Sequence, residues 1–307
     1  MPVEGAGFWA RLHSHHNFGP ELPSMIGESS RYNQGFFNTA CKLAAEVVSR
    51  NYLFFLCELD ASGMERLRAR ASMQGSGGTA PTYTAFVVKA VASALREHPH
   101  LNVMIQRRPF SARLAPLKKM TATVAVERQV GGIDYVFAPM IQSPQERSLA
   151  GLSAELRHYA TAEPETVPVY AQFMRLVRWA RYFPSAVGLL FRIPGLSPGL
   201  WRRFRGGSFV VTSPAKYGGL DAVLPPWPWP LTIAFGQVKE RPWVAAGKLV
   251  VRKTMHVTIA AERVLANGAP LARFAETLRR LLEEPERMEM DAVPGSREGA
   301  GSATSLF

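Results

Sequence analysis

A mixed α/β fold around one sheet is predicted by three features of this sequence. Short strand-like apolar runs alternate with segments whose apolar residues recur every three or four positions. The alternation follows no regular repeat. The chain of 307 residues is 47% hydrophobic and only 20% charged, so a sizeable core can form. That length suits one large domain with elaborations.

Taken in order, residues 1–30 read as an extended arm. His13, His15 and His16 stand there between glycine and proline, with no cysteine or carboxylate at metal-ligand spacing, so no metal site is expected. Helical periodicity at 36–48 precedes an apolar strand run at 52–59. A charged helix at 61–71 leads into a flexible loop, Gly75-Ser76-Gly77-Gly78. At 84–95, Phe86, Val87, Ala90, Val91 and Ala94 share one broad face, which predicts a buried helix stopped by His98-Pro99. Strands are expected at 121–126 and 135–141. A helix at 148–159 follows, with Ser148 as N-cap and Leu149, Leu152 and Leu156 inward.

Residues 160–206 read as a basic helical insertion, with its helices at about 165–205. An apolar stripe of Phe173, Leu176, Val177 and Ala180 is flanked by Arg175, Arg178 and Arg181, and between Tyr170 and Arg205 there are seven arginines and no acid. Beyond it, strands are predicted at 208–212 and 231–238, and a hairpin pair within 248–261. A helix at about 270–284 turns Phe274, Leu278, Leu281 and Leu282 inward. Residues 288–307 are rich in Gly and Ser and read as a disordered tail.

The net charge of +12 calls for an anionic partner: a phosphate-rich cofactor, an acidic carrier domain or an acidic membrane surface. No recognition motif accompanies the charge, so nucleic acid is not expected. Cys41 and Cys57 lie in apolar surroundings and read as buried thiols, with no disulfide framework or zinc spacing. No secretory signal or run of about 18 apolar residues is evident, which places the expected location in the cytoplasm.

Three stretches fall in the order of one family. The run 84–102, with Pro99 and Asn102 matching a Pro-x-x-Asn signature, resembles a helix of dihydrolipoamide acyltransferase catalytic domains. The run 123–156 resembles that family's strand–turn–strand–helix block, and 206–286 resembles its C-terminal half. The resemblance implies a chloramphenicol acetyltransferase-like fold: a mixed-sheet, two-layer sandwich spanning 31–287. It also implies a homotrimer whose inter-subunit channel receives coenzyme A or its acyl ester as substrate.

The family signature is H-x-x-x-D-G, in which the histidine is the general base. Counted back from Gly268, the histidine position holds Arg263 and the aspartate position Asn267, and the oxyanion-binding hydroxyl falls at Thr212. A guanidinium has no lone pair to offer, so Arg263 cannot accept the proton. Losing a positioned base costs about 10²–10⁴ in rate. Neither His256 nor His98, His100 or His158 is brought to the channel by the sequence.

Three readings result. The first is coenzyme-A-dependent acyl transfer with an altered motif. The second is a catalytically inactive trimeric scaffold or partner-binding subunit. The third is attachment to an acidic membrane surface through the Arg-rich insertion. An arm of 30 residues is expected to hold neither a lipoyl nor a subunit-binding module.

Overall fold

The computed structural model describes residues 51–73, 80–108, 111–180 and 182–290. The expected arm, the helix at 36–48 and the loop at 75–78 lie outside these residues, as does the tail beyond 290. The described chain runs β1 (Tyr52–Asp60), α1 (Ser62–Met73), α2 (Tyr83–Glu97), β2 (Val103–Arg108), β3 (Ser111–Pro116), β4 (Thr121–Val124), β5 (Val126–Val130), β6 (Ile133–Phe137), β7 (Met140–Gln142) and α3 (Leu149–Thr161). The insertion follows as α4 (Pro168–Ala180), α5 (Pro184–Arg192) and α6 (Pro198–Arg205). The chain then continues through β8 (Phe209–Thr212), β9 (Leu231–Phe235), β10 (Lys239–Ala245), β11 (Lys248–Glu262), α7 (Gly268–Glu283) and α8 (Glu286–Met290).

Seven strands form the main sheet in the order β1-β11-β9-β8-β4-β7, with β10 also on β11. β8 runs parallel to β4 and to β9, and the other pairs are antiparallel. The pairs β2–β3 and β5–β6 are separate hairpins. Helices cover one sheet face, because strand alternation sends Val211, Ile233, Val257 and Ile259 to the same side.

Against that side lies α2, in which every residue from Ala85 to Leu95 is buried. A helix that is apolar all round belongs inside a protein. The one charge in that buried stretch, Lys89, donates from Nζ to the carbonyl oxygen of Arg147. Thr82 caps its start by accepting from the Ala85 N–H at 3.2 Å, and Ser148 caps α3 as predicted, accepting from Gly151 at 3.1 Å. Beside α2, α7 buries Leu271, Phe274, Leu278, Leu281 and Leu282.

Two expectations need correction. Residues 248–261 are not a hairpin but most of one 15-residue strand, β11, whose hairpin partner is β10. The turn is Ala246-Gly247, both at positive φ. The polar residues Arg252, Thr254, His256 and Thr258 mark alternation along one strand rather than a break in it. Met288, placed in the tail from sequence, is buried in α8 at 1% exposure, so packing extends past 287.

The insertion is fastened to the sheet at its end. The Arg205 carbonyl oxygen accepts from the Thr123 hydroxyl at 2.9 Å and from the Trp229 indole N–H at 2.8 Å. The Trp201 indole N–H donates to the Gly207 carbonyl at 2.9 Å. Gly207 has to be glycine, because a Cβ there would stand 1.7 Å from the Thr121 carbonyl oxygen. The Arg205 guanidinium lies over the Phe191 ring at 4.7 Å, and burial pulls its pKa down to about 10.

Candidate active site

Thr212 closes β8 at the carboxyl end of the parallel strands. It is half-buried, and among the described residues no hydrogen bond occupies its hydroxyl. Its neighbour Ser213 is spent on structure: its hydroxyl donates to the Phe235 carbonyl at 2.7 Å and accepts from the Ala215 N–H at 3.2 Å. Thr212 is level with Ala234 on β9, which is level with Thr258 on β11. All three point to the face opposite the helices.

That face carries a polar ladder. His256 Nδ1 meets Asp221 Oδ2 at 2.7 Å, and its Nε2 lies 3.8 Å from Glu58. Glu58 accepts from the Thr254 hydroxyl at 2.7 Å. The Thr258 hydroxyl donates to the Ala222 carbonyl at 2.7 Å. Asp221 and Ala222 belong to the loop between β8 and β9, so the ladder ties that loop across the sheet. Gly236 leaves room for it, since a Cβ there would meet the Asp221 carboxylate at 1.8 Å. Nothing in the sequence announced that His256 has two acidic neighbours, because Asp221 is 35 residues away and Glu58 is on β1.

Arg263 and Asn267 lie at the other end of β11. Arg263 is exposed just past the strand, with its backbone N–H on the Asn51 carbonyl at 2.9 Å. Asn267 stands at the N-cap position of α7 and is exposed, and its side chain makes no capping bond. Arg263 opens the turn that leaves β11, and Asn267 follows that turn at the start of α7. The structure does not bring Thr212 to them. Two strand spacings, about 10 Å, separate Thr212 from Thr258, and five residues from Thr258 to Arg263 add about 17 Å along the strand.

One residue of this end was missed from sequence. Glu262, the last residue of β11, is 3% exposed and is the only carboxylate among the buried polar residues described. By alternation it shares the sheet face of Thr258 and Thr212. Counting back from Gly268 with fixed motif spacing lands on Arg263. The acid immediately before it was the available signal.

The family model described as 2-oxoacid dehydrogenases acyltransferase (catalytic domain) matches residues 43–166 and 201–290, skipping the heart of the insertion. A dihydrolipoyllysine-residue succinyltransferase component of the 2-oxoglutarate dehydrogenase complex from Bartonella vinsonii subsp. berkhoffii is 24% identical over 76% of this chain and 48% of its own. A lipoamide acyltransferase component of the branched-chain alpha-keto acid dehydrogenase complex from Pseudomonas aeruginosa is 22% identical over 76% of this chain and 46% of its own. The chain thus spans about half the length of these curated relatives. A probable dihydrolipoamide acetyltransferase from Listeria monocytogenes superposes with a TM-score of 0.58 at 19% identity, over 89% of this chain and 96% of that one. The cubic core of a pyruvate dehydrogenase multienzyme complex gives a TM-score of 0.60 at 19% identity, over 88% and 98%. These structures share the fold.

Proposed function

We propose, because this chain belongs to the 2-oxoacid dehydrogenase acyltransferase (catalytic domain) family, that it moves an acyl group from coenzyme A to a nucleophile at a site shared by two copies of itself. The observation that carries this reading is the separation of Thr212 from Glu262, Arg263 and Asn267 at opposite ends of the strand register. One chain cannot close that gap on a single thioester carbon. A closed ring of copies, in which one contributes Thr212 and its neighbour the far end of β11, can. A homotrimer is the ring we infer.

In this reading the acceptor thiol or hydroxyl attacks the thioester carbonyl carbon and gives its proton to the Glu262 carboxylate. Carboxylate lone pairs supply the acceptor that a guanidinium lacks. The carbonyl π electrons move to oxygen, and the Thr212 hydroxyl of the neighbouring copy donates to that oxyanion. Collapse restores the carbonyl and breaks the C–S bond. The departing thiolate takes back the proton held by Glu262. Arg263, exposed beside this carboxylate, holds an anionic group of donor or acceptor in its planar fork, and Asn267 orients it by hydrogen bonding. The net charge of +12 suits both the phosphates of coenzyme A and an acceptor delivered on an acidic carrier.

Titrating coenzyme A and its acetyl ester by calorimetry, at two salt concentrations and beside ATP, tests the donor half. Saturation near one per chain, resistant to salt and weaker for ATP, is expected. Binding that ATP reproduces and salt abolishes would instead favour the second reading, a catalytically retired trimer acting as scaffold. The arginine at the family's histidine position motivates that reading. Arg263→His alone is expected to give no gain in transfer to dihydrolipoamide, because Asn267 lacks the aspartate's charge and Glu262 already occupies the proton-accepting role. A gain of tenfold or more in steady-state rate would count against both assignments.

A further inference from the structure

We infer that the insertion α4–α6 is a docking surface for an acidic lipid bilayer. Its inner side is accounted for: Tyr170 stacks on Phe137 with ring centres 4.1 Å apart, and Val177 and Trp201 are buried. Its outer side is not. Trp179, Tyr182, Phe183, Leu189, Leu196 and Phe204 are exposed, from 40% for Trp179 to 72% for Tyr182. Trp179 and Phe183 lie together with ring centres 5.2 Å apart. Large side chains left in water so close along a chain mark a contact surface.

Charge selects the partner. Arg175, Arg178, Arg192, Arg202 and Arg203 are exposed on the same helices, and no Asp or Glu occurs from 166 to 220. Among the described residues Arg175, Arg178, Arg202 and Arg203 have no carboxylate partner. Against the same segment of a second copy, arginine would meet arginine, because no Asp or Glu occurs from 166 to 220 to pair with it. The face pairs bulky aliphatic and aromatic groups with guanidinium groups. It therefore calls for an apolar medium under an anionic skin, where Trp and Tyr settle at the headgroups and arginine stems lie along the apolar surface. No helix of the described residues is long and apolar enough to cross a membrane, so the contact is interfacial. The family match omits 167–200, so Trp179, Tyr182, Phe183, Leu189 and Leu196 are additions to the acyltransferase fold, while Arg202, Arg203 and Phe204 fall within the match.

The test is co-sedimentation of the full chain with phosphatidylcholine vesicles, with and without about one-third phosphatidylserine. Acidic lipid is expected to raise the bound fraction by about tenfold or more, and salt to reverse the rise. The paired change Arg202→Gln with Arg203→Gln is expected to lower partitioning by roughly tenfold or more. Trp179→Ala with Phe183→Ala is expected to lower it even at low salt. A matched control, Lys248→Gln with Lys253→Gln, removes two exposed charges from β11 and is expected to stay within about twofold of the parent. Absence of retention on acidic vesicles would overturn the proposal, as would an equal loss in the lysine control. Light scattering in which the Trp179/Phe183 variant turns an oligomer into monomers would also overturn it, by making the face a contact between copies.

Discussion

Mixing Thr212→Ala chains with Glu262→Gln chains is expected to restore acyl transfer that neither variant supports alone. Each variant by itself should lose about 10²–10⁴ in rate, the Glu262 variant through the proton acceptor and the Thr212 variant through the oxyanion donor. If the site is shared, an interface is intact when the copy giving the threonine is a Glu262→Gln chain and the copy giving the carboxylate is a Thr212→Ala chain. In an equal, random mixture that holds for about a quarter of interfaces, so about a quarter of the parent activity should return. The parent donor and acceptor assay run on co-refolded chains reads this directly. A mixture no more active than its components would show that both residues serve one chain's own site, or that neither serves catalysis.

The second large effect concerns stability. Phe274 is fully buried on α7 and meets the edge of the His98 ring with ring centres 6.0 Å apart. It belongs to the same cluster as α2 and the covered face of the sheet. Phe274→Ala is expected to cost about 3–5 kcal/mol, because close-packed backbone on both sides prevents the void from collapsing. Urea unfolding monitored by circular dichroism should show a lower midpoint with an unchanged slope. A loss below about 1 kcal/mol would mean that the α2–α7 seam relaxes far more than its packing implies.

How much of this was legible beforehand depended on the range of the interactions. The helices at 84–95, 148–159 and 270–284 were readable because a 3.6-residue pattern, a capping hydroxyl and a stopping proline are local signals. The hairpin β2–β3 was missed, since Gln106 and Arg113 interrupt its alternation; in the structure they face each other, Arg113 Nε donating to Gln106 at 2.6 Å. The length of β11 was misread because its outer half leaves Leu249 and Val251 in water, so its polarity changes along one strand. For the candidate site, Thr212, Arg263 and Asn267 came from the resemblance, by laying the family's motif on this sequence. Their separation did not, because strand register is set by pairing between segments tens of residues apart. The burial of Glu262 is likewise a property of its surroundings and not of its neighbours in sequence.

The fastening of Arg205 bears on how such a chain gains a new surface. Family similarity resumes at residue 201; from there Trp201 bonds to Gly207, just ahead of β8, and the Arg205 carbonyl to Thr123 of β4. The last turn of the insertion therefore falls within the family match, and the added part is the stretch ahead of it. With the Arg205 guanidinium over the Phe191 ring and its carbonyl held by Thr123 and Trp229, the outer helices are joined to the sheet at β4 as well as through the chain into β8. Whatever the outer helices meet is therefore borne by a segment bonded to the sheet, not one that hangs from it by the chain alone.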